Sequence, residues 1–268
     1  SPCRYHLGNL PYDKTNESTM IHSLQQLMNF LRDELCVKRN LTVIFRTWDT
    51  STNYFHANAT FYKSVVSAVE PHPKLVFSIK HTMLDFWRRV KFNPTLGVGK
   101  HQQVVEAEVG GMYGGCGTWP LYVGDGIINL FEEDVSPKSG LRWLQTVYPE
   151  TFAGLLTNHQ CDAHILHVPS PFLWWRLEQR VLSSWAAYGG NRSEESLFDE
   201  AIEAQWGIAN ATARKAVRRL AQEAMKVGAQ RFCAFFRAFV VVVCCTTSDC
   251  CDTMIVSGQP PDANVCGF

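Results

Sequence analysis

The sequence lacks the features that mark several classes of protein. Lysine plus arginine number 25 and aspartate plus glutamate number 25, so neither sign of charge is in excess. No basic block stands out as the electrostatic footprint of a nucleic-acid binder. The longest apolar run, 232–245, is interrupted by Arg237 and falls short of the roughly 20 residues that span a bilayer. We therefore predict no nucleic-acid partner and no membrane partner, and interpret that run as a buried segment.

Metal-binding and phosphate-binding motifs are also missing. None of the ten cysteines forms a CxxC pair, and the adjacent pairs at 244–245 and 250–251 do not have the spacing of ordinary metal ligands. No GxGxxG or GK[ST] pattern follows a predicted strand. The sequence therefore predicts neither a metal nor another cofactor.

What the sequence does contain is enough apolar material for a large core. The 268 residues are 46% hydrophobic and 12% aromatic, which excludes a disordered chain. Ten cysteines and five glycosylation sequons favour a secretory route and a secreted or extracellular protein. The alternative is that each sequon is only a surface asparagine followed by serine or threonine. The sequons begin at Asn16, Asn40, Asn58, Asn191 and Asn210.

Helical and β-rich segments alternate along the first two thirds of the chain. Helices are predicted over 16–36, 59–69, 141–156 and throughout 171–227, and strands over 41–48, 74–80, 103–109 and 164–168. The first three strands start about 30 residues apart, which suits βα units of a parallel sheet or barrel. The fold class predicted is therefore α/β.

Polar residues follow the strands where such barrels place their chemistry, at the carboxyl ends. Arg46 and Trp48 end the first strand, Lys80, His81 and Asp85 end the second, and Glu106 and Glu108 lie on the third. Two carboxylates flanking one bond are the apparatus of glycoside hydrolysis, and Asp85 and Glu106 lie on neighbouring strands. Arg46 and Lys80 are suited to hold an anionic group.

Each of these residues also has a structural interpretation. Asp85 can cap the next helix. Glu106 can pair with Arg46 or Lys80 in a structural salt bridge. Trp48, like the other tryptophans, is more often a core residue than a sugar platform.

Three motifs in this region resemble one known family. The run Lys80-His-Thr-Met-Leu-Asp85-Phe resembles the lysine-x4-aspartate-phenylalanine motif of the α-glucuronidases of glycoside hydrolase family 67. The stretch Glu106-Ala-Glu108-Val-Gly-Gly-Met-Tyr113-Gly is similar to that family's glutamate-x-glutamine…tyrosine-glycine stretch. The run 43–48 is similar to its strand ending in an aromatic-arginine pair, and the region 177–207 to the helices that follow its barrel.

The resemblance implies a (β/α)8 TIM barrel that cleaves glucuronic acid from xylan-type oligosaccharides with inversion. Asp85 and Glu106 would activate water, and Arg46 and Lys80 would bind the uronate carboxylate. Trp48, Glu108 and Tyr113 would contribute to binding the oligosaccharide or polysaccharide substrate. An inverting site needs its acid and base about 6.5–9.5 Å apart.

The chain also departs from the family pattern. Glu108 stands where the family has glutamine, and Met112 where it has the glutamate before the tyrosine. The family's general acid lies on a strand before the helix predicted at 16–36, a position that would fall at or just upstream of Ser1. Of the two nearby carboxylates, Asp13 and Glu17, the latter is better interpreted as a helix-start residue. We therefore expect a fragment or processed chain comprising the C-terminal part of a barrel (1–170), a helical region (171–228) and a cysteine-rich tail (229–268). The rival hypotheses are a non-catalytic carbohydrate-binding relative and an inactive fragment.

Overall fold

The computed structural model describes residues 17–49, 55–83, 92–109, 122–129, 138–158 and 174–223. These residues form four strands and a series of helices. In chain order the elements are α1 (Glu17–Phe30), a π-helical segment (Leu31–Val37), β1 (Val43–Arg46), α2 (Ala59–Val66), β2 (Leu75–Lys80), β3 (Gln103–Glu108), α3 (Gly124–Ile128), α4 (Leu141–Val147), β4 (Phe152–Asn158), α5 (Trp174–Ala187), α6 (Glu194–Trp206) and α7 (211–223).

The four strands form one parallel sheet in the order in which they occur along the chain. β1 pairs with β2, β2 with β3, and β3 with β4, and every pairing is parallel. In the register, Arg46 lies opposite Ser78, Lys80 opposite Glu106, and Glu108 opposite Asn158. Because all four strands run the same way, their carboxyl ends meet at a single edge of the sheet.

The hydrophobic core lies on one face of this sheet. Phe77, Ile79, Val105 and Ala107 are fully buried in one cluster with side chains from α2 to α6. The alternate strand residues belong to the opposite face, because side chains of a strand point to the two faces in turn. On that opposite face, Ile44 is 53% exposed. None of the described strand residues on this face belongs to the core cluster.

Local chemistry explains where several helices begin and end. The Asn58 side chain caps α2 by accepting from the backbone N–H groups of Thr60 and Phe61, both at 3.1 Å. Ser193 caps α6 by accepting from the N–H of Ser196. Gly207 ends α6 with a φ of 69°, a left-handed conformation that glycine adopts without a steric penalty.

The α/β class and the first three strands are confirmed, but one predicted helix is wrong in its second half. The helix predicted over 141–156 ends at Val147, and residues Phe152–Asn158 form β4 instead. Pro149 has no N–H to continue the helix, and Thr151 and Phe152 both donate to the carbonyl of Tyr148 in a turn. The open edge of β3 then offers hydrogen-bond partners that the local sequence does not reveal.

Other predictions are confirmed in part or lie outside the described residues. The helices predicted over 16–36, 59–69 and 171–227 appear as α1 with the π-helical segment, α2, and α5 to α7. The strand predicted at 164–168 and the cysteine-rich tail at 229–268 lie outside the described residues. Among the residues described, no helix has both the length and the apolar character to cross a membrane.

Candidate functional site

The carboxyl edge of the sheet brings together four of the residues predicted to form the site. Arg46 ends β1, Lys80 ends β2, and Glu106 lies near the end of β3, with Trp48 two residues beyond β1. Of the remaining predicted residues, Glu108 ends β3 opposite Asn158, whereas Asp85 and Tyr113 lie outside the described residues.

Glu106 is the centre of this cluster. Its side chain is 2% exposed, and the half-exposed Arg46 binds it with two N–H groups, Nε to Oε2 at 2.8 Å and Nη2 to Oε1 at 2.5 Å. Ser78 Oγ donates to Oε2 at 3.2 Å, and Asn158 Nδ2 donates to Oε1 at 2.9 Å. Each carboxylate oxygen therefore accepts two hydrogen bonds. The salt bridge with Arg46, one structural interpretation of Glu106, is confirmed.

These contacts keep Glu106 ionised. Burial by itself raises the pKa of the Glu106 carboxyl, but the hydrogen bonds and charge of Arg46 oppose it. The charge of Lys80 and the hydrogen bond from Asn158 act in the same direction as Arg46, and the net effect lowers the pKa of Glu106 below its usual value. The edge therefore presents an anionic carboxylate beside two cations.

Lys80 and Trp48 form the second part of the site. Lys80 is 2% exposed, and its Nζ lies 4.2 Å from the centroid of the Trp48 ring, a cation–π contact. The ring of His56 lies 4.3 Å from the Trp48 ring on a tilted plane. Trp48 is thus half-buried and held by two neighbours, and it belongs to the strand-end cluster and not to the core cluster.

His56 is a neutral, hydrogen-bonded residue that anchors the chain after β1. Its Nδ1 accepts from the backbone N–H of Asp49 at 3.3 Å, and its Nε2 lies 2.8 Å from the carbonyl oxygen of Met83. The carbonyl needs a donor, so the proton is assigned to Nε2. Burial lowers the pKa of His56, and the charge of Lys80 adds to this effect. His56 therefore ties together the segments that follow β1 and β2.

His81 lies next to Lys80 and is buried beneath the site. Its backbone N–H donates to the carbonyl oxygen of Glu106 at 3.0 Å, and its Nδ1 lies 3.4 Å from the same oxygen. Burial lowers the pKa of His81 to about 4. His81 is consequently neutral near pH 7 and links the end of β2 to the backbone of β3 without adding a charge.

Sequence reasoning missed three members of the site. Ser78 is an isolated hydroxyl in an otherwise apolar strand, and that contrast is a usable signal. Asn158 ends β4, which the sequence pattern predicts in part as a helix, so its position at the sheet edge is hidden. His56 lies in a segment for which no element is predicted, and no sequence signal connects it with Trp48.

A second cluster of buried polar groups lies in the helical part of the molecule. Glu194, at the start of α6, accepts from Tyr122 Oη at 2.5 Å and from two nitrogens of Arg218 on α7. Burial raises the pKa of Glu194 and the nearby charge of Asp125 adds to the rise, although Arg218 and Tyr122 partly oppose it. Glu178 lies close by, fully buried, and accepts from the backbone N–H of Val123 at 2.6 Å. This cluster joins α3, α5, α6 and α7.

The described ranges contain no group of three or more histidine, cysteine, aspartate or glutamate side chains placed to hold a metal ion. Chemically, the strand-end cluster presents the half-exposed guanidinium of Arg46 beside a buried, ionised glutamate, and the buried cation of Lys80 lies nearby. Trp48 adds a half-buried aromatic ring beside Lys80. No family model matches the chain, and comparisons with curated proteins and with solved structures give no match.

Proposed function

We propose that the chain is a glycoside hydrolase of the α-glucuronidase type, which acts on uronic-acid-bearing glycans. The observation that carries the proposal is the meeting of Arg46, Lys80 and Glu106 at one carboxyl edge of a parallel sheet. Two cations beside an ionised carboxylate suit a substrate that carries its own carboxylate next to the bond to be cleaved.

The proposed architecture is the C-terminal part of a (β/α)8 barrel. Two features support it: the strands are neighbours in sequence order, and the helix side chains of the core cluster pack on one face of the sheet. A doubly wound sheet would have helices on both faces and a reversal in strand order. In a barrel the opposite face would line the interior.

The proposed reaction is hydrolysis with inversion. Asp85 and Glu106 would accept the proton of a water molecule whose oxygen attacks the anomeric carbon of the uronic acid. The bond from that carbon to the leaving sugar oxygen breaks, and a general acid protonates that oxygen. The family resemblance puts this acid on a strand before α1. Arg46 and Lys80 would hold the uronate carboxylate, with Trp48, Glu108 and Tyr113 contacting the sugar.

The test is release of glucuronic acid from aldobiouronic acid and glucuronoxylan oligosaccharides, followed by NMR of the anomeric proton. We expect the full-length parent protein to release the inverted anomer and its Asp85→Asn variant to release none. Glu150→Gln, an exposed carboxyl just before β4, is the matched control and should leave release unchanged. Release of the retained anomer, or full release by Asp85→Asn, would contradict the mechanism.

A second candidate function is carbohydrate binding without catalysis. The observation in its favour is that both oxygens of Glu106 are already occupied by two hydrogen bonds each. A carboxylate satisfied in this way is a good structural anchor but is less available to accept a proton from water. Binding of glucuronoxylan oligosaccharides without release of glucuronic acid would favour this candidate. If the protein neither binds nor cleaves them, the family resemblance would concern the fold alone.

We further propose that the protein is secreted and N-glycosylated. The sequon asparagines Asn40, Asn58, Asn191 and Asn210 are all exposed. Expression in a eukaryotic secretory host, with and without peptide N-glycosidase treatment, tests this. A mass loss on treatment is expected, and an unchanged mass for a secreted chain would contradict it.

A further inference from the structure

We propose that Asn158 is a positioning residue, which holds the Glu106 carboxylate and through it the guanidinium of Arg46 in the orientation that receives a uronate. The part of this inference that concerns uronate rests on the proposed function. The part that concerns Glu106 stands on the hydrogen-bond geometry alone.

The geometry defines what the amide of Asn158 does. Its Nδ2 lies 2.9 Å from Glu106 Oε1, and an ionised carboxylate only accepts hydrogen bonds, so the NH2 group and not the carbonyl faces Glu106. The same Oε1 accepts from Arg46 Nη2. Asn158 and Arg46 therefore approach one oxygen from β4 and β1, the two outer strands of the described sheet.

The backbone of Asn158 is itself held in place. Its carbonyl oxygen accepts from the N–H of Val109 at 2.8 Å, just beyond the end of β3. The side chain is only partly buried, whereas the Glu106 carboxylate that it contacts is almost completely buried. Asn158 and the half-exposed Arg46 are therefore both more exposed than the carboxylate that they contact.

Other charged groups face Glu106 and must be considered in any titration. Arg46 approaches from β1 and Lys80 from β2, and the buried ring of His81 contacts the Glu106 backbone carbonyl. Both cations favour the ionised carboxylate, and His81 is neutral above about pH 4. Asn158, like Ser78, is a neutral donor to Glu106, so replacing it changes the hydrogen bonding without removing a cation.

The experiment compares Asn158→Asp with Asn158→Ala in the full chain. When the introduced aspartate is ionised, its charge repels the Glu106 carboxylate. When the aspartate is protonated, its O–H can donate a hydrogen bond to Glu106, as the Asn158 amide does in the wild type. We expect Asn158→Asp to weaken glucuronate binding, measured by ligand NMR, about tenfold or more at pH 7.5. The affinity of Asn158→Asp for glucuronate should recover toward that of the wild type as the pH falls to about 4.5. The affinity of Asn158→Ala should stay below that of the wild type at both pH values. Wild-type affinity in both variants, or an equal loss at both pH values in Asn158→Asp, would overturn the inference.

A substrate-free measurement separates this inference from the proposed function. Carbon-13 NMR of the Glu106 carboxyl, assigned with Glu106→Gln, follows its titration directly. Asn158→Ala should raise the pKa of Glu106, and Asn158→Asp should produce a coupled pair with one titration above the usual carboxyl range. Unchanged titration of Glu106 in both variants would overturn the positioning role. Failure of the wild-type chain to bind or release glucuronate would instead overturn the proposed function alone.

Discussion

Two buried glutamates, each paired with an arginine, behave differently in the two halves of the molecule. Glu106 at the sheet edge has its pKa lowered, whereas Glu194 among the helices has its pKa raised. Both glutamates are buried, so burial alone does not decide whether the pKa is raised or lowered. Glu106 is surrounded by two cations and two neutral donors, but Glu194 has one arginine and one hydroxyl with Asp125 close by.

The partners differ in exposure as well. Arg46 is 49% exposed, so water shares in its solvation, while Arg218 is 19% exposed. The sheet-edge pair is therefore an open arrangement, partly in contact with solvent through the arginine. The helical pair is a closed one that joins α6 to α7, and it has the character of a structural contact.

The largest expected effect is loss of the helical arginine. Arg218→Met leaves Glu194 fully buried beside Asp125 without its cation, and we expect the free energy of unfolding to fall by about 3 kcal/mol. Arg46→Met should lower it by only about 1 kcal/mol, because Lys80, Ser78 and Asn158 remain around Glu106 and water replaces part of the lost contact. Urea unfolding at pH 7 measures both. Equal decreases in unfolding free energy for the two variants would contradict the distinction between the open pair and the closed pair.

A smaller effect is expected from pH, because titration leaves every side chain in place. Glu106 has a lowered pKa in the folded protein, so its ionisation stabilises the fold above the unfolded pKa of about 4.3, and this stability is lost as pH falls. Glu194 has a raised pKa, so its contribution is lost as pH rises through that raised value.

The measurement is the difference in unfolding free energy between wild type and each glutamine variant across about pH 3 to 7. Relative to Glu106→Gln, the wild type should gain stability as pH rises. Relative to Glu194→Gln, it should lose stability over the same interval. Slopes of the same sign would show that the two carboxyls share one electrostatic environment.

Removing the hydroxyl group that donates to each glutamate tests the comparison between Glu106 and Glu194 further. Tyr122→Phe removes one of the two hydrogen-bonding partners that Glu194 has among the described residues, and it should cost about 1.5 kcal/mol in unfolding free energy. Ser78→Ala removes the longest of four bonds to Glu106 and should cost about 0.5 kcal/mol. Chemical denaturation resolves a difference of this size, and a larger cost at Ser78 would contradict it.

The smallest effects are expected at the helix caps of the two regions. Asn58→Ala removes an acceptor that serves two N–H groups of α2, with an expected cost of about 1 kcal/mol, and Ser193→Ala removes one that serves a single N–H of α6, at about 0.5 kcal/mol. Bacterial expression excludes any effect of glycosylation at Asn58. A greater loss at Ser193 would indicate that the cap also orients the neighbouring Glu194.

Much of the sheet edge is predictable because strands and their termini have short-range signals. Arg46, Lys80 and Glu106 follow or end β-rich runs, and equal spacing of those runs predicts a parallel arrangement. β4 is not predictable in the same way, since Phe-Ala-Gly-Leu-Leu-Thr-Asn has a single β-branched residue and becomes a strand by pairing with β3. With β4 unrecognised, the sequence gives no reason to place Asn158 beside Glu106.

The sequence by itself determined the α/β class, the order of the first three strands, and the presence of both cations and carboxylates at the strand ends. These follow from local patterns within about ten residues. Only the tertiary structure decided that Arg46 binds Glu106 with two N–H groups, that Asn158 completes the contact, and that Trp48 contacts both Lys80 and His56. Those outcomes depend on the register between strands, which is set by the whole packed sheet and not by any single segment.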